Sequence, residues 1–99
     1  MEMSEEKMTG RLLRDLKAKA QLLDPIIRVG KAGVTTEFLG LLDAALKRKA
    51  LVKIKFEGEN KAHKKELASE IASKTSSQLV LRVGNTAVYY RVIPTGAAS

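Results

Sequence analysis

Ile26-Ile27-Arg28-Val29-Gly30-Lys31-Ala32-Gly33-Val34-Thr35 decides how this 99-residue chain folds. Ile26 to Val29 is a β-rich run and predicts a short buried strand. Gly30 ends that strand, Gly33 repeats the glycine three positions on, and Thr35 is of the type that caps a helix. The stretch therefore predicts a strand, a glycine loop and a helix start in direct succession. Downstream, Glu37 favours the positive end of a helix dipole, and Phe38, Leu41, Leu42, Ala45 and Leu46 form one apolar stripe, so a helix is expected to about Lys49.

Leu51 to Phe56 then alternates, with Val52, Ile54 and Phe56 on one face and Lys53 and Lys55 on the other. This predicts a half-buried strand with a basic outer face. Glu57 to Asn60 turns the chain, and Leu67, Ala68, Ile71 and Ala72 mark a third helix from about Lys61 to Lys74, capped by Asn60. Gln78 to Val83, Gly84-Asn85 and Thr86 to Val92 fit a β-hairpin closed by a two-residue turn. Its expected register sets Val83 opposite Thr86, Leu81 opposite Val88 and Leu79 opposite Tyr90 on the core face. Arg82 then faces Ala87, Val80 faces Tyr89 and Gln78 faces Arg91 on the outer side.

Upstream, Leu12, Leu13, Leu16, Ala20 and Leu23 recur at helical spacing among Arg11, Arg14, Lys17 and Lys19, which predicts an amphipathic helix. Thr9 would cap it and Asp24-Pro25 would stop it. The order is helix, strand, helix, strand, helix, strand, strand: an α/β sandwich on a mixed four-stranded sheet, with two right-handed strand-helix-strand crossovers. The domain is expected over residues 9 to 93, with a mobile acidic segment at 1 to 8 and a mobile tail at 94 to 99.

Eighteen Lys and Arg against eleven Asp and Glu give a net charge of +7. Glu2, Glu5 and Glu6 lie in the first six residues, so residues 7 to 99 carry 18 basic and 8 acidic side chains, a net of +10. Such a balance points to a polyanionic partner, although surplus lysine also serves solubility. There is no cysteine, which excludes disulfides and thiolate metal sites. No apolar run approaches the roughly 20 residues that span a bilayer, and the acidic start is unlike a signal peptide. We expect a soluble, cytoplasmic monomer with no membrane partner, no metal and no cofactor.

Gly30-Lys31-Ala32-Gly33 is the motif that carries chemistry. Two glycines let a ligand approach the backbone, N–H groups at the following helix start attract phosphate oxygens, and Lys31 adds a mobile charge. KH domains grip nucleic acid in this way. A tight strand-to-helix turn that needs glycine for its own sake is the plainer reading, and the loop lacks the spacing and the Lys-Ser/Thr ending of a Walker loop. Arg28 and Lys31 are the nearest basic residues in sequence. Lys47, Arg48 and Lys49 complement a helix dipole, whereas Lys61, Lys64 and Lys65 oppose one and are either phosphate contacts or a solvated face. The outer sheet face would show Lys53, Lys55, Arg82, Tyr89 and Arg91: a nucleic-acid platform with a single aromatic, or a surface partly covered by the first helix. Phe38, Phe56 and Tyr90 are expected in the core, and His63 on an exposed helix face. No nucleophile or acid-base set emerges, so an enzyme is not expected.

Ile26 to Thr35, the stretch from Leu46 to Lys55 with Ala50-Leu51-Val52-Lys53-Ile54-Lys55, and Gly84 followed by Tyr89-Tyr90-Arg91 together resemble the single-domain CRM (YhbY-like) proteins over roughly residues 9 to 92. The resemblance implies a fold similar to the C-terminal domain of bacterial translation initiation factor three, RNA binding through the GxxG loop, and association with precursors of the large ribosomal subunit. Val34 stands where that family often has Leu or Ile. The expected RNA contacts are Arg28, Gly30, Lys31, Ala32, Gly33, Lys61 and Lys64. The competing expectation is a protein-interaction or stably bound ribosomal component with no RNA contact at the loop.

Overall fold

The computed structural model describes residues 9–92. The segments 1–8 and 94–99, for which mobility was expected, lie outside the described residues. Helix α1 (Gly10–Leu22) starts at Thr9, whose hydroxyl accepts the Leu12 N–H at 3.0 Å, and ends before Asp24-Pro25. Strand β1 (Ile27–Val29) leads through the glycine loop to α2 (Thr36–Arg48), where the Thr35 hydroxyl caps the Phe38 N–H, also at 3.0 Å. Strand β2 (Leu51–Phe56), a 3-10 segment (Gly58–His63), α3 (Lys64–Thr75), β3 (Gln78–Val83) and β4 (Thr86–Tyr90) complete the order read from the sequence.

The sheet runs β1-β2-β4-β3, with β1 parallel to β2 and β4 antiparallel to both neighbours. One face packs on α2 and α3 around Val29, Phe38, Leu42, Leu46, Val52, Ile54, Phe56, Ala68, Ile71, Ala87 and Tyr89. Helix α1 lies on the other face against β2 and β3, where Leu16, Ala20, Val80 and Val88 are buried outside that cluster. Both faces are therefore dry over much of their area.

That double burial corrects three expectations. The hairpin turn is as expected, with Gly84 at φ 59° and Val83 opposite Thr86, and Leu81 does face Val88. At Val80 one extra residue enters β3, so Leu79 pairs with Tyr89 and Gln78 with Tyr90. The faces are exchanged as well: Ala87 and Tyr89 join the α2/α3 core, while Val88, opposite Lys53, turns toward α1. Tyr89, expected outside, is fully buried and donates its hydroxyl to the Ala68 carbonyl at 2.9 Å; Tyr90, expected in the core, is half-buried on the α1 side. Burial pushes the Tyr89 phenol pKa well above its ordinary value.

Two further expectations change. β1 is an edge strand rather than a buried one, with Ile26 and Arg28 exposed. The third helix starts three residues late, because residues 58 to 63 form a 3-10 segment and Asn60 does not cap α3.

Arg91 locks the main core from its rim. Its guanidinium donates to the Asp43 carboxylate at 2.9 Å, to the Asp43 carbonyl at 2.9 Å and to the Thr75 carbonyl at 2.7 Å, tying β4's end to α2 and α3. That bond, with Lys47 beside it, holds the Asp43 carboxyl below the usual carboxylate range. Arg91→Met keeps the stem and deletes the donors, and is expected to lower the midpoint of thermal unfolding by roughly 5–10 °C. A melt followed by circular dichroism checks it.

Candidate nucleic-acid interface

The parallel pairing of β1 and β2 delivers two connections to one end of the sheet: the Gly30–Gly33 loop and the Glu57–Asn60 segment. The β3–β4 turn joins them there, since the Phe56 N–H donates to the Asn85 carbonyl at 2.7 Å. Within the loop, the Gly33 N–H donates to the Gly30 carbonyl at 2.9 Å and closes a tight turn around Lys31 and Ala32. Both are exposed at its tip. Gly33 sits at φ 78°, where a β-carbon is strained; Gly30 has an ordinary φ, and a β-carbon there would meet nothing within 4 Å. The fold thus explains Gly33 and leaves Gly30 without an internal reason.

Asn60 fastens this loop, a role the sequence reading missed. Its side-chain nitrogen lies 2.9, 2.7 and 2.9 Å from the carbonyls of Val29, Gly30 and Glu57, and its backbone N–H returns to Glu57 at 3.1 Å. Two amide hydrogens shared among three carbonyls hold the loop base against the segment after β2. The available signal was an asparagine four residues past the end of a strand that pairs in parallel with the loop's own strand. Asn60→Ala strands these acceptors and is expected to cost about 1–3 kcal/mol, with faster hydrogen exchange at the Gly33 amide as the specific readout.

The expected contact residues are brought together unevenly. Lys31 and Lys61 are exposed and have no carboxylate partner among the described residues. Lys61 directly follows the Asn60 clamp, in the 3-10 segment rather than in α3. Arg28 points its guanidinium at Glu57, 3.3 Å away, so part of its charge is already answered. Lys64, half-buried at the start of α3, donates to the Asn85 side chain at 3.2 Å and braces the β3–β4 turn. Lys65 is exposed beside it, and His63 is exposed at the end of the 3-10 segment.

Acidic groups shape the same end. Gly30, Lys31, Glu57, Gly58, Glu59 and Asn60 line a shallow groove beside the loop, and its two glutamates disfavour a phosphate inside it. The positive charge at this end stands at the loop tip, on Lys31, and past the Asn60 clamp, on Lys61. Among the described residues no group of three His, Cys, Asp or Glu could hold a metal ion.

The sheet-face platform does not exist as expected. Lys53 is turned under α1, where its ammonium sits 3.1 Å from the Leu23 carbonyl and 3.4 Å from that of Ala20, closing the helix C-terminus. Tyr89 and Arg91 belong to the opposite face, as does Arg82, which pairs with Ala87. Of these five, Lys55 keeps the expected face with no hydrogen bond or ion pair among the described residues, next to Arg28 on β1. No helix among the described residues is long and apolar enough to cross a membrane.

A family model for the CRS1 / YhbY (CRM) domain matches residues 8–91. This chain belongs to that family. "Probable RNA-binding protein YqeI" of Bacillus subtilis is 34% identical over 84 residues, covering 85% of this chain and 88% of its own. "Probable RNA-binding protein MJ0652" of Methanocaldococcus jannaschii is 32% identical over 92 residues, covering 91% and 68%. The solution structure of the hypothetical protein SAV1595 from Staphylococcus aureus superposes with a TM-score of 0.74 at 34% identity, over 87% of this chain and 90% of that one.

Proposed function

We propose that this chain is an RNA-binding protein that grips an RNA backbone at the Gly30–Gly33 loop, with Lys31 and Lys61 as the principal cationic contacts. The observation that carries this reading is Gly30, whose missing side chain has no role among the described residues while the loop tip beside it is exposed and cationic. A backbone that must admit a ligand closely supplies that role. The names of the relatives, RNA-binding proteins in bacteria and an archaeon, support the partner class.

Phe38, Phe56 and Tyr89 are buried and cannot stack bases, and the half-buried Tyr90 lies opposite Leu51, at the far end of β2 from the loop. Binding then rests on phosphates and on the shape of a folded RNA, with steep salt dependence and little base readout. The resemblance to YhbY-like proteins points to ribosomal RNA, and to assembly of the large subunit as the setting. The chain's described residues offer no nucleophile with a base beside it, and we propose a binding factor rather than an enzyme.

Gly30→Ala tests the carrying observation. It should leave the thermal midpoint within a degree or two, or raise it slightly, and weaken binding to large-subunit ribosomal RNA fragments. Unchanged affinity in a folded Gly30→Ala protein would move the contact away from the loop.

A further inference from the structure

The seam between β1 and α2 holds an apolar surface that neither the core nor the loop uses. The sequence pattern puts Leu41 in the buried stripe of α2, yet the residue is 62% exposed, and Ile26 across the seam is 55% exposed. Ile26, Ile27, Leu41, Ala44 and Ala45 line one open groove, with Arg28 and Arg48 at its rim. Lys49 borders a smaller hollow that continues it.

Two features of the backbone make this groove approachable. β1 is an edge strand: Ile26 donates its N–H to the Lys53 carbonyl, and alternation along the strand turns the Ile27 N–H and C=O away from β2. Gly40, in the middle of α2 and exposed, has room for a β-carbon, so nothing among the described residues explains a residue that weakens a helix. With Ala44 one turn on, it leaves the helix backbone bare beside Leu41.

Charge selects the occupant. The groove's lining carries Arg28 and Arg48 and no acid. A second copy of this chain, at +7, would bring like charge to like charge. RNA finds an aliphatic floor here with no aromatic ring to stack on. We propose that the β1 edge and the α2 groove bind an acidic, aliphatic segment of a partner protein, which adds as a strand to β1, seats an aliphatic side chain between Ile26 and Leu41, and places a carboxylate on Arg48, which has no carboxylate partner among the described residues, while Arg28 stays shared with Glu57 at the rim. The surface meets the RNA-binding end only at Arg28, which neither test variant alters, and its test needs no RNA.

The full chain, immobilised, is used to select from a phage-displayed library of short random peptides. Sequences mixing Asp or Glu with Val, Ile or Leu should be enriched. A synthetic peptide of the enriched sequence should shift the amides of Ile26 to Val29 and Gly40 to Arg48 in the labelled full chain. It should also bind at least tenfold more weakly to Leu41→Glu and to Arg48→Glu. Both substitutions sit on exposed positions, and a thermal melt confirms that each variant is folded. Enrichment of basic or aromatic peptides, or equal binding to both variants, overturns the proposal. So does a concentration-dependent dimer that Leu41→Glu abolishes, which assigns the groove to a second copy, and so does duplex RNA shifting the same amides. Loss of RNA binding in loop variants bears on the loop alone and leaves these outcomes unchanged.

Discussion

A Lys31→Glu, Lys61→Glu double variant is expected to bind a large-subunit ribosomal RNA fragment roughly 10- to 100-fold more weakly than the unaltered chain at about 0.1 M salt. Both ammonium groups are exposed and lack a carboxylate partner among the described residues, so they are available to phosphate without first breaking an internal bond. Each phosphate contact contributes roughly 0.7–0.9 to the slope of log affinity against log salt, so the variant's slope should be shallower by about 2. Fluorescence anisotropy across a salt series measures both quantities. Arg28→Glu should do less than Lys31→Glu, because Glu57 already holds that guanidinium at 3.3 Å. Equal slopes in the double variant and the unaltered chain would remove these two lysines from the interface.

Phe56→Ala should have the largest effect on the fold. Phe56 is fully buried, ends β2 opposite Val29, and gives its N–H to the Asn85 carbonyl. Its ring therefore fills the main core directly beneath the loop end of the sheet. Truncation removes a large apolar surface and leaves a cavity that β1, α2 and α3 cannot all close, at a cost of about 3–5 kcal/mol. Small domains carry roughly 5–15 kcal/mol in total, so the variant should be marginally folded or unfolded near body temperature. Urea denaturation followed by circular dichroism gives the difference directly. A loss under about 1 kcal/mol would mean that the site repacks and that the core around Phe56 is not close-fitting.

The element order and the loop were legible in the sequence because their signals are local. Thr9 and Thr35 cap the helices they were expected to cap, and the glycines of the loop follow a strand and precede a helix. The faces of the last hairpin were not legible. Leu79, Val80, Leu81, Val83, Val88, Tyr89 and Tyr90 are apolar in nearly every phase, and alternation cannot assign a face when both sides are covered. The extra residue at Val80 then shifts the register without any glycine or proline to announce it. Lys53 shows the same limit from the polar side: a lysine in an alternating strand reads as solvent-facing, whereas here its ammonium closes the carbonyl end of α1.

At the candidate interface, residue type indicated charge, and tertiary pairing decided which charges remained available. Lys31 and Lys61 stay open, Lys64 braces the Asn85 turn and Arg28 meets Glu57. Asn60 reads in the sequence as a helix cap, not a clamp, because its function is to bond three carbonyls brought together from two strands, an arrangement that exists only after β1 and β2 pair. Leu41 was assigned to the core on helical spacing, and only the packing of α2 against the sheet shows that it stands outside.

RNA is expected to meet this protein at the end of the sheet where the glycine loop lies. The most direct measurement is amide chemical-shift mapping of the labelled chain during titration with a folded fragment of large-subunit ribosomal RNA. The account predicts the largest shifts at Gly30, Lys31, Ala32, Gly33, Asn60 and Lys61, with α1 and the outer face of α2 little changed. Saturating RNA that left the loop amides unmoved while shifting those helices would contradict it.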